Sequence, residues 1–259
     1  MRRAALLLGL CFLWAPVSLM AFYAFSGSRI PFEWGGFSWR WFVALAGNAR
    51  LLEAAWLSLR IGAAAATLAT LLGLALGWVL ARHGRFAGRP LFGVLSGAPL
   101  VLPEVVMGLA LLLLFVGAQA LTGWPAQRGA VTVWLVHAGL GMAYVAVLVQ
   151  ARLAALDPRL EEAAANMGAR PAMVFLTITW PLIAPSLGAG WLLAFTLSLD
   201  DVVLASFVSG PGATTLPVYL FSQLRLGMTP EANALGVVML LVAGTAVMVL
   251  QRLRRAGRH

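Results

Sequence analysis

At 259 residues, 61% of them hydrophobic and only 10% charged, the chain carries too little polar surface to clothe a water-soluble globule of its size, so a bilayer is the implied solvent. A formal charge of +9 would suggest nucleic acid as a partner for a soluble protein. Here the arginines sit between apolar runs rather than in one dense patch, which argues against nucleic acid. All 18 basic residues are Arg; without Lys there is no GxxxxGK[ST] phosphate loop and no Schiff-base lysine, so any ATP used in this protein's work must be hydrolysed on another chain.

Six runs are long enough for a hydrocarbon core of about 30 Å, near 4–25, 57–81, 92–118, 131–153, 184–208 and 233–251. They predict an all-α integral membrane protein with six transmembrane helices in a single domain. Arg2 and Arg3 before the first run also suit a signal peptide, but the apolar stretch continues to Phe25, longer than an h-region, and favours a retained helix. The single Cys11 in this run rules out an intrachain disulfide and suits apolar packing. Segment 38–56 mixes aromatics with Arg40, Arg50 and Glu53 and reads as an interfacial helix leading into the second span. In the third run, Pro99 and Pro103 each remove a helix hydrogen bond, which frees the carbonyls of Leu95 and Pro99 and predicts a kink beside Glu104. The turn Gly210-Pro211-Gly212 ends the fifth run and starts an outer loop.

Cytoplasmic segments carry the excess of Arg. With both ends inside, Arg2, Arg3, Arg82, Arg85, Arg89, Arg152, Arg159, Arg170, Arg252, Arg254, Arg255 and Arg258 fall on the inner side. Arg29, Arg40, Arg50, Arg60, Arg128 and Arg225 fall on the outer side, together with an aromatic belt of Trp34, Trp39, Trp41, Trp56 and Trp124. The reverse orientation inverts this split, so the expected topology is N-in/C-in.

The inner segment 157–171, DPRLEEAAANMGARP, holds a full set of helix punctuation. Asp157 suits an N-cap and Pro158 the first helical position; Glu161 and Glu162 lie at the positive end, and Ala163 to Ala165 favour helix. Gly168 supplies a left-handed stop, after which Pro171 can open a second short helix. The product is a helix-turn-helix on the inner face. Punctuation alone fits an ordinary capped connector equally well.

Carboxylates within apolar runs number three: Glu104 in the third, and Asp200 with Asp201 in the fifth. An acid at mid-membrane costs about 2.5 to 3.5 kcal/mol on insertion scales and therefore faces a cavity or a partner. No Arg lies deep enough to pair with them, and a cationic substrate would supply the countercharge, whereas an anion pathway would expose Arg or helix N-termini. The alternative is that the acids stay protonated within the bundle, Asp200 meeting Thr196 and Asp201 meeting Ser198. Adjacent residues lie about 100° apart on a helix, so both acids cannot face one site equally. His83, His137 and His259 lack metal-ligand spacing, and Ser, His and Asp occur without a nucleophile elbow, so neither a metal site nor a catalytic site is expected. No internal repeat or inverted copy is visible, which disfavours repeat-built secondary transporters.

The spacing Glu162-Ala163-Ala164, three residues, Gly168, nine residues, Ile178, and then Pro181 resembles the EAA loop of ATP-binding-cassette importer permeases. Trp180 departs from that pattern, where the family has Leu. The resemblance implies that the loop between spans four and five forms coupling helices seated in a cleft of an ATPase subunit, with Glu162, Ala163, Ala164, Gly168, Ile178 and Pro181 at the coupling positions. It also implies two cytoplasmic ATP-binding subunits that hold ATP and Mg, a second and different permease subunit, a periplasmic binding protein, and a place in the bacterial inner membrane. Further along, the run 197–217, LSLDDVVLASFVSGPGATTLP, is similar to the polyamine (putrescine/spermidine) permeases of that family, as are Pro103-Glu104-Val105-Val106 and Pro230-Glu231-Ala232-Asn233-Ala234. The expected function is thus a transmembrane permease subunit for a polyamine such as putrescine. The alternatives are a related importer for ferric iron or another organic cation, a proton-coupled secondary transporter, or an intramembrane enzyme.

Overall fold

The computed structural model describes residues 2–30, 33–84, 86–226 and 230–256; Arg85, Arg258 and His259 of the sequence reading lie outside the described residues. In chain order the helices are α1 (Arg2–Ala24), α2 (Arg40–Gly47), α3 (Ala49–Arg82), α4 (Arg89–Val101), α5 (Glu104–Thr122), α6 (Ala130–Ala154), α7 (Arg159–Asn166) and α8 (Pro171–Val174). A π-helical turn, Phe175–Thr179, joins α8 to α9 (Trp180–Asp200), followed by α10 (Val203–Val208), α11 (Leu216–Leu226) and α12 (Glu231–Ala256). Among the described residues, five helical stretches are long and apolar enough to cross a membrane: Leu6–Ala24, Ala49–Arg82, Glu104–Thr122, Ala130–Ala154 and Pro171–Asp200.

The chain divides into two compact units, Met1–Glu53 with Leu220–His259, and Ala54–Tyr219. In the first unit α12 packs against α1 and α2. The expected interfacial helix over 38–56 is shorter than the sequence suggests: α2 ends at Gly47, and Asn48 interrupts it before α3. Asn48 makes the interruption with its own side chain, Oδ1 accepting the N–H of Leu51 at 3.2 Å while the amide donates to Glu231 at 2.8 Å. The aromatics between α1 and α2 fold on one another, Phe22 stacking on Trp34 and the Trp41 indole donating to the carbonyl of Ser26 at 2.6 Å.

The second unit differs from the expected spans at two places. The single kinked helix expected over 92–118 is instead two helices, because Leu102 is extended and Pro103 starts the next segment. Pro103 has no N–H to give and forces the residue before it out of the helical region, so the helix ends rather than bends; Pro99 is accommodated inside α4. The span expected over 184–208 begins earlier, at Pro171, and ends at Asp200. Asp201 is extended and α10 is a separate helix.

Three helices of this unit approach closely through small residues. Lipid tails are as apolar as Leu, so helices in a bilayer gain by close packing rather than by hiding from solvent. A Cβ on Gly141 of α6 would stand 2.9 Å from the Cβ atoms of both Ala69 on α3 and Ala194 on α9. One on Gly77 of α3 would stand 2.7 Å from the carbonyl oxygen of Ala146. Ala66, Val145, Val149, Ile183 and Leu187 fill the surrounding core. A second core, of Ile61, Met107, Phe115, Val136 and Leu204, joins α3, α5, α6 and α10. Replacing Gly77 by Val is expected to lower stability in detergent by about 1–3 kcal/mol. Gly139→Ala, whose Cβ meets nothing within 4 Å, serves as the neutral control; equal unfolding midpoints for the two variants would contradict the packing.

Candidate functional site

The segment expected as a helix-turn-helix folds from its own punctuation. Asp157 Oδ1 accepts the N–H of Arg159 at 3.0 Å, and the Pro158 carbonyl takes the N–H groups of Glu161 and Glu162. The helix stops at Gly168, whose φ of +85° is the left-handed conformation, and the N–H of Ala169 returns to the carbonyl of Ala164 at 3.1 Å. Pro171 then opens α8. No residue of α7 is buried.

Two neighbouring glutamates do different things. Glu161 Oε1 pairs with Arg82 Nη2 at 3.0 Å and accepts the Thr179 hydroxyl at 2.7 Å, so it ties α7 to the end of α3 and to the π-helical turn. Glu162, Ala163 and Gly168 are exposed, Ala164 and Ile178 are half-buried, and Pro181 is exposed at the start of α9. Glu161, Glu162, Ala165, Pro171 and Phe175 line an open cleft of about 320 Å³ beside Trp78. The face that Glu162 shares is thus held rigid from behind and left uncovered in front.

The second cluster lies at the α9–α10 break. The carboxylate of Asp201 accepts the N–H of Leu204 at 3.1 Å through Oδ1 and that of Ala205 at 2.7 Å through Oδ2, capping α10. Oδ2 also meets His137 Nε2 of α6 at 2.9 Å, and His137 Nδ1 meets the Ser198 hydroxyl at 2.6 Å. His137, Ser198 and Asp201 are 3%, 5% and 8% exposed. The far end of α10 is fixed as well: Thr132 donates to the carbonyl of Val208 at 2.7 Å, and Arg128 to that of Phe207 at 3.2 Å.

The three acids read from the sequence therefore separate. Asp201 is buried and fully engaged by protein, not by Ser198 directly but through His137. Asp200, one residue earlier, is exposed at the end of α9, where the last four carbonyls of a helix lack intrahelical partners and carry its negative pole. Thr196 donates to the carbonyl of Leu192 rather than to Asp200. Glu104 is exposed at the first residue of α5, a helix that packs against α10 with Phe207 lying on Gly108. His137 is the residue that sequence reasoning passed over. Ser, His and Asp in a line resemble a hydrolase triad in composition, but the Ser198 hydroxyl is buried between helices and inaccessible to a substrate. Among the described residues no group of His, Cys, Asp and Glu could hold a metal ion.

Residues 69–256 match the family model of the binding-protein-dependent transport system inner membrane component. The putrescine transport system permease protein PotI of Escherichia coli is 50% identical over 243 residues, which cover 94% of this chain and 86% of that protein. The spermidine/putrescine transport system permease protein PotC of Haemophilus influenzae is 35% identical over 260 residues, covering 100% of this chain and 98% of that one. The fold is shared with a crystal structure of a bacterial ABC transporter involved in the import of the acidic polysaccharide alginate, with a TM-score of 0.77 at 16% identity, covering 98% of this chain and 93% of that chain. With apolar helices long enough to cross a membrane several times and a family model matched over most of its length, this multi-pass chain belongs to the inner membrane components of binding-protein-dependent transport systems.

Proposed function

We propose that this chain is a permease subunit of an ATP-driven importer that carries a polyamine such as putrescine across the bacterial inner membrane. The observation that carries the reading is the 50% identity to a putrescine permease along 94% of the chain. The exposed carboxylate of Asp200 at the negative end of α9 fits it, since an ammonium group gains from both the charge and the carbonyls. In this reading α1, α3, α5, α6, the run from α8 to α9, and α12 make six spans with both chain ends in the cytoplasm, as the arginine distribution favours.

The exposed face of α7 is then the coupling helix, with Glu162, Ala163, Ala164 and Gly168 meeting an ATPase subunit and Ile178 and Pro181 setting the entry into α9. Two such ATP-binding subunits hold ATP and Mg, while a second, non-identical permease subunit completes the passage. A periplasmic binding protein delivers the polyamine. This chain contributes no catalytic group or cofactor. Its work is to change shape when the ATPase does, with Asp200 and Glu104 facing the cation.

Glu162→Ala is expected to cut uptake in membrane vesicles at least about tenfold through loss of one charged interface contact. Gly168→Val is expected to do the same, because a β-branched residue is strained at φ of +85°. Both proteins should remain at normal levels in the membrane, and normal uptake by either variant would remove the coupling assignment. Uptake that persists without the ATPase and collapses with a protonophore would favour a secondary transporter instead.

Asp200→Asn keeps the size of the side chain and removes its charge. Uptake of putrescine is expected to fall about tenfold, mainly through a higher KM, as for loss of one charge-assisted contact. Unchanged uptake kinetics would exclude Asp200 from the pathway, and equal losses for a neutral substrate would point to a structural defect.

A further inference from the structure

His137 uses both ring nitrogens, and its two partners flank the acid that the proposed function places in the pathway. Ser198, in the last turn of α9, bonds Nδ1 at 2.6 Å; Asp201, in the break itself, bonds Nε2 at 2.9 Å. The carboxylate of Asp201 accepts from Leu204 and Ala205 as well. An ionised carboxylate can only accept, so Nε2 donates to Asp201, and a neutral ring then accepts the Ser198 hydroxyl at Nδ1. With the ring 3% exposed, each nitrogen needs a partner, and both partners lie at the α9–α10 break. Here a rigid planar ring on α6 holds the chain on both sides of a two-residue stretch, Leu199 and Asp200.

We propose that His137 is a positioning residue for cation passage: by fixing Ser198 and Asp201 to α6 at a set separation, its imidazole determines the direction in which Asp200 is presented. This rests on reading Asp200 as the pathway carboxylate. The physical reason is that a chain interrupted between helices is free to rotate about the residues of the break, and successive side chains on the last helical turn point about 100° apart. With Ser198 and Asp201 both turned inward to one ring, Asp200 is turned outward, and it is the exposed member of the three. Without the ring, Asp201 still caps α10 through Leu204 and Ala205 and α9 still packs on α6 further back, but no side-chain bond fixes the last turn of α9 relative to that cap. Leu199 and Asp200 then exchange places at the surface.

The test uses the complete importer in proteoliposomes with Cys11→Ser as background and a single cysteine introduced by Asp200→Cys or, separately, Leu199→Cys. A positively charged methanethiosulfonate is the probe. Adding His137→Ala is expected to slow modification at 200 and raise it at 199, each about tenfold, the size expected from losing a buried hydrogen-bonded contact. His137→Gln, which retains a donor and an acceptor at the end of the side chain, is expected to restore the original pattern. A purely packing role would give no shift for His137→Ala or no rescue by Gln, and either result overturns the proposal. Should His137→Ala fail to assemble, Ser198→Ala removes one of the two ties, and the same shift is expected at about threefold; an unchanged pattern there overturns the proposal equally. Failure of the pathway reading looks different. Normal putrescine uptake by Asp200→Asn would remove Asp200 from the pathway while leaving the labelling shift, and hence the positioning by His137, intact.

Discussion

Between Asp200 and Val203 an apolar helix is interrupted, and the capping of α10 by Asp201 is what makes the interruption stable. An unpaired backbone N–H in hydrocarbon costs several kcal/mol, so a break within an apolar segment survives only where the freed groups find partners inside the protein. Asp201 meets two of those N–H groups with its own carboxylate and then meets His137. Its burial follows from those bonds, since a buried carboxylate without them would be far costlier than one left in water. α10 in turn brings Leu204, Ala205 and Val208 into a core with Met107, Phe115 and Val136, so the cap also decides how α5 and α6 are packed.

The other interruption in the same unit is made differently. Pro103 ends α4 by removing a donor rather than by adding an acceptor, and Glu104 follows as the first residue of α5, where the positive end of a helix favours a carboxylate. Asp157 stands near the start of α7 and Glu161 in its first turn. In each case the acid lies at the positive end of a helix. The difference is what remains of its charge afterwards: Asp201 and Glu161 also meet a histidine or an arginine, whereas Glu104, Glu162 and Asp200 are exposed.

Much of this was legible in the sequence because it depends on local chemistry. Spans declare themselves by length and composition; α6 was expected over 131–153 and occupies Ala130–Ala154. The stop at Gly168 and the start at Pro171 follow from what those two residues permit in the backbone. The breaks at Pro103 and Asp201 were less legible, since whether a proline kinks a helix or ends it depends on what else satisfies the backbone, which is tertiary. His137 was missed for the same reason. It offers no spacing pattern, 61 residues separate it from Ser198 and 64 from Asp201, and only packing of α6 on α9 brings them together. A signal did exist: a histidine in the middle of an apolar span must have a partner, and the acids in the spans were the natural candidates.

Adjacent acids at one break raise a question of charge that the arrangement answers. Two exposed carboxylates on consecutive residues would repel each other and bind a cation without a defined geometry. With Asp201 engaged by two N–H groups and an imidazole, the break presents outward one carboxylate and the carbonyl end of α9. In the proposed importer that is enough to meet one ammonium of a diamine, and the second ammonium, a flexible chain's length away, must be met from elsewhere. In the same proposal Glu104 at the head of α5 and a second permease subunit are the places where such a charge can come from, which would make selection for length between two charges a property of the assembled passage. Under those proposals the single chain supplies one fixed point of that measurement, its direction set by the buried His137, Ser198 and Asp201.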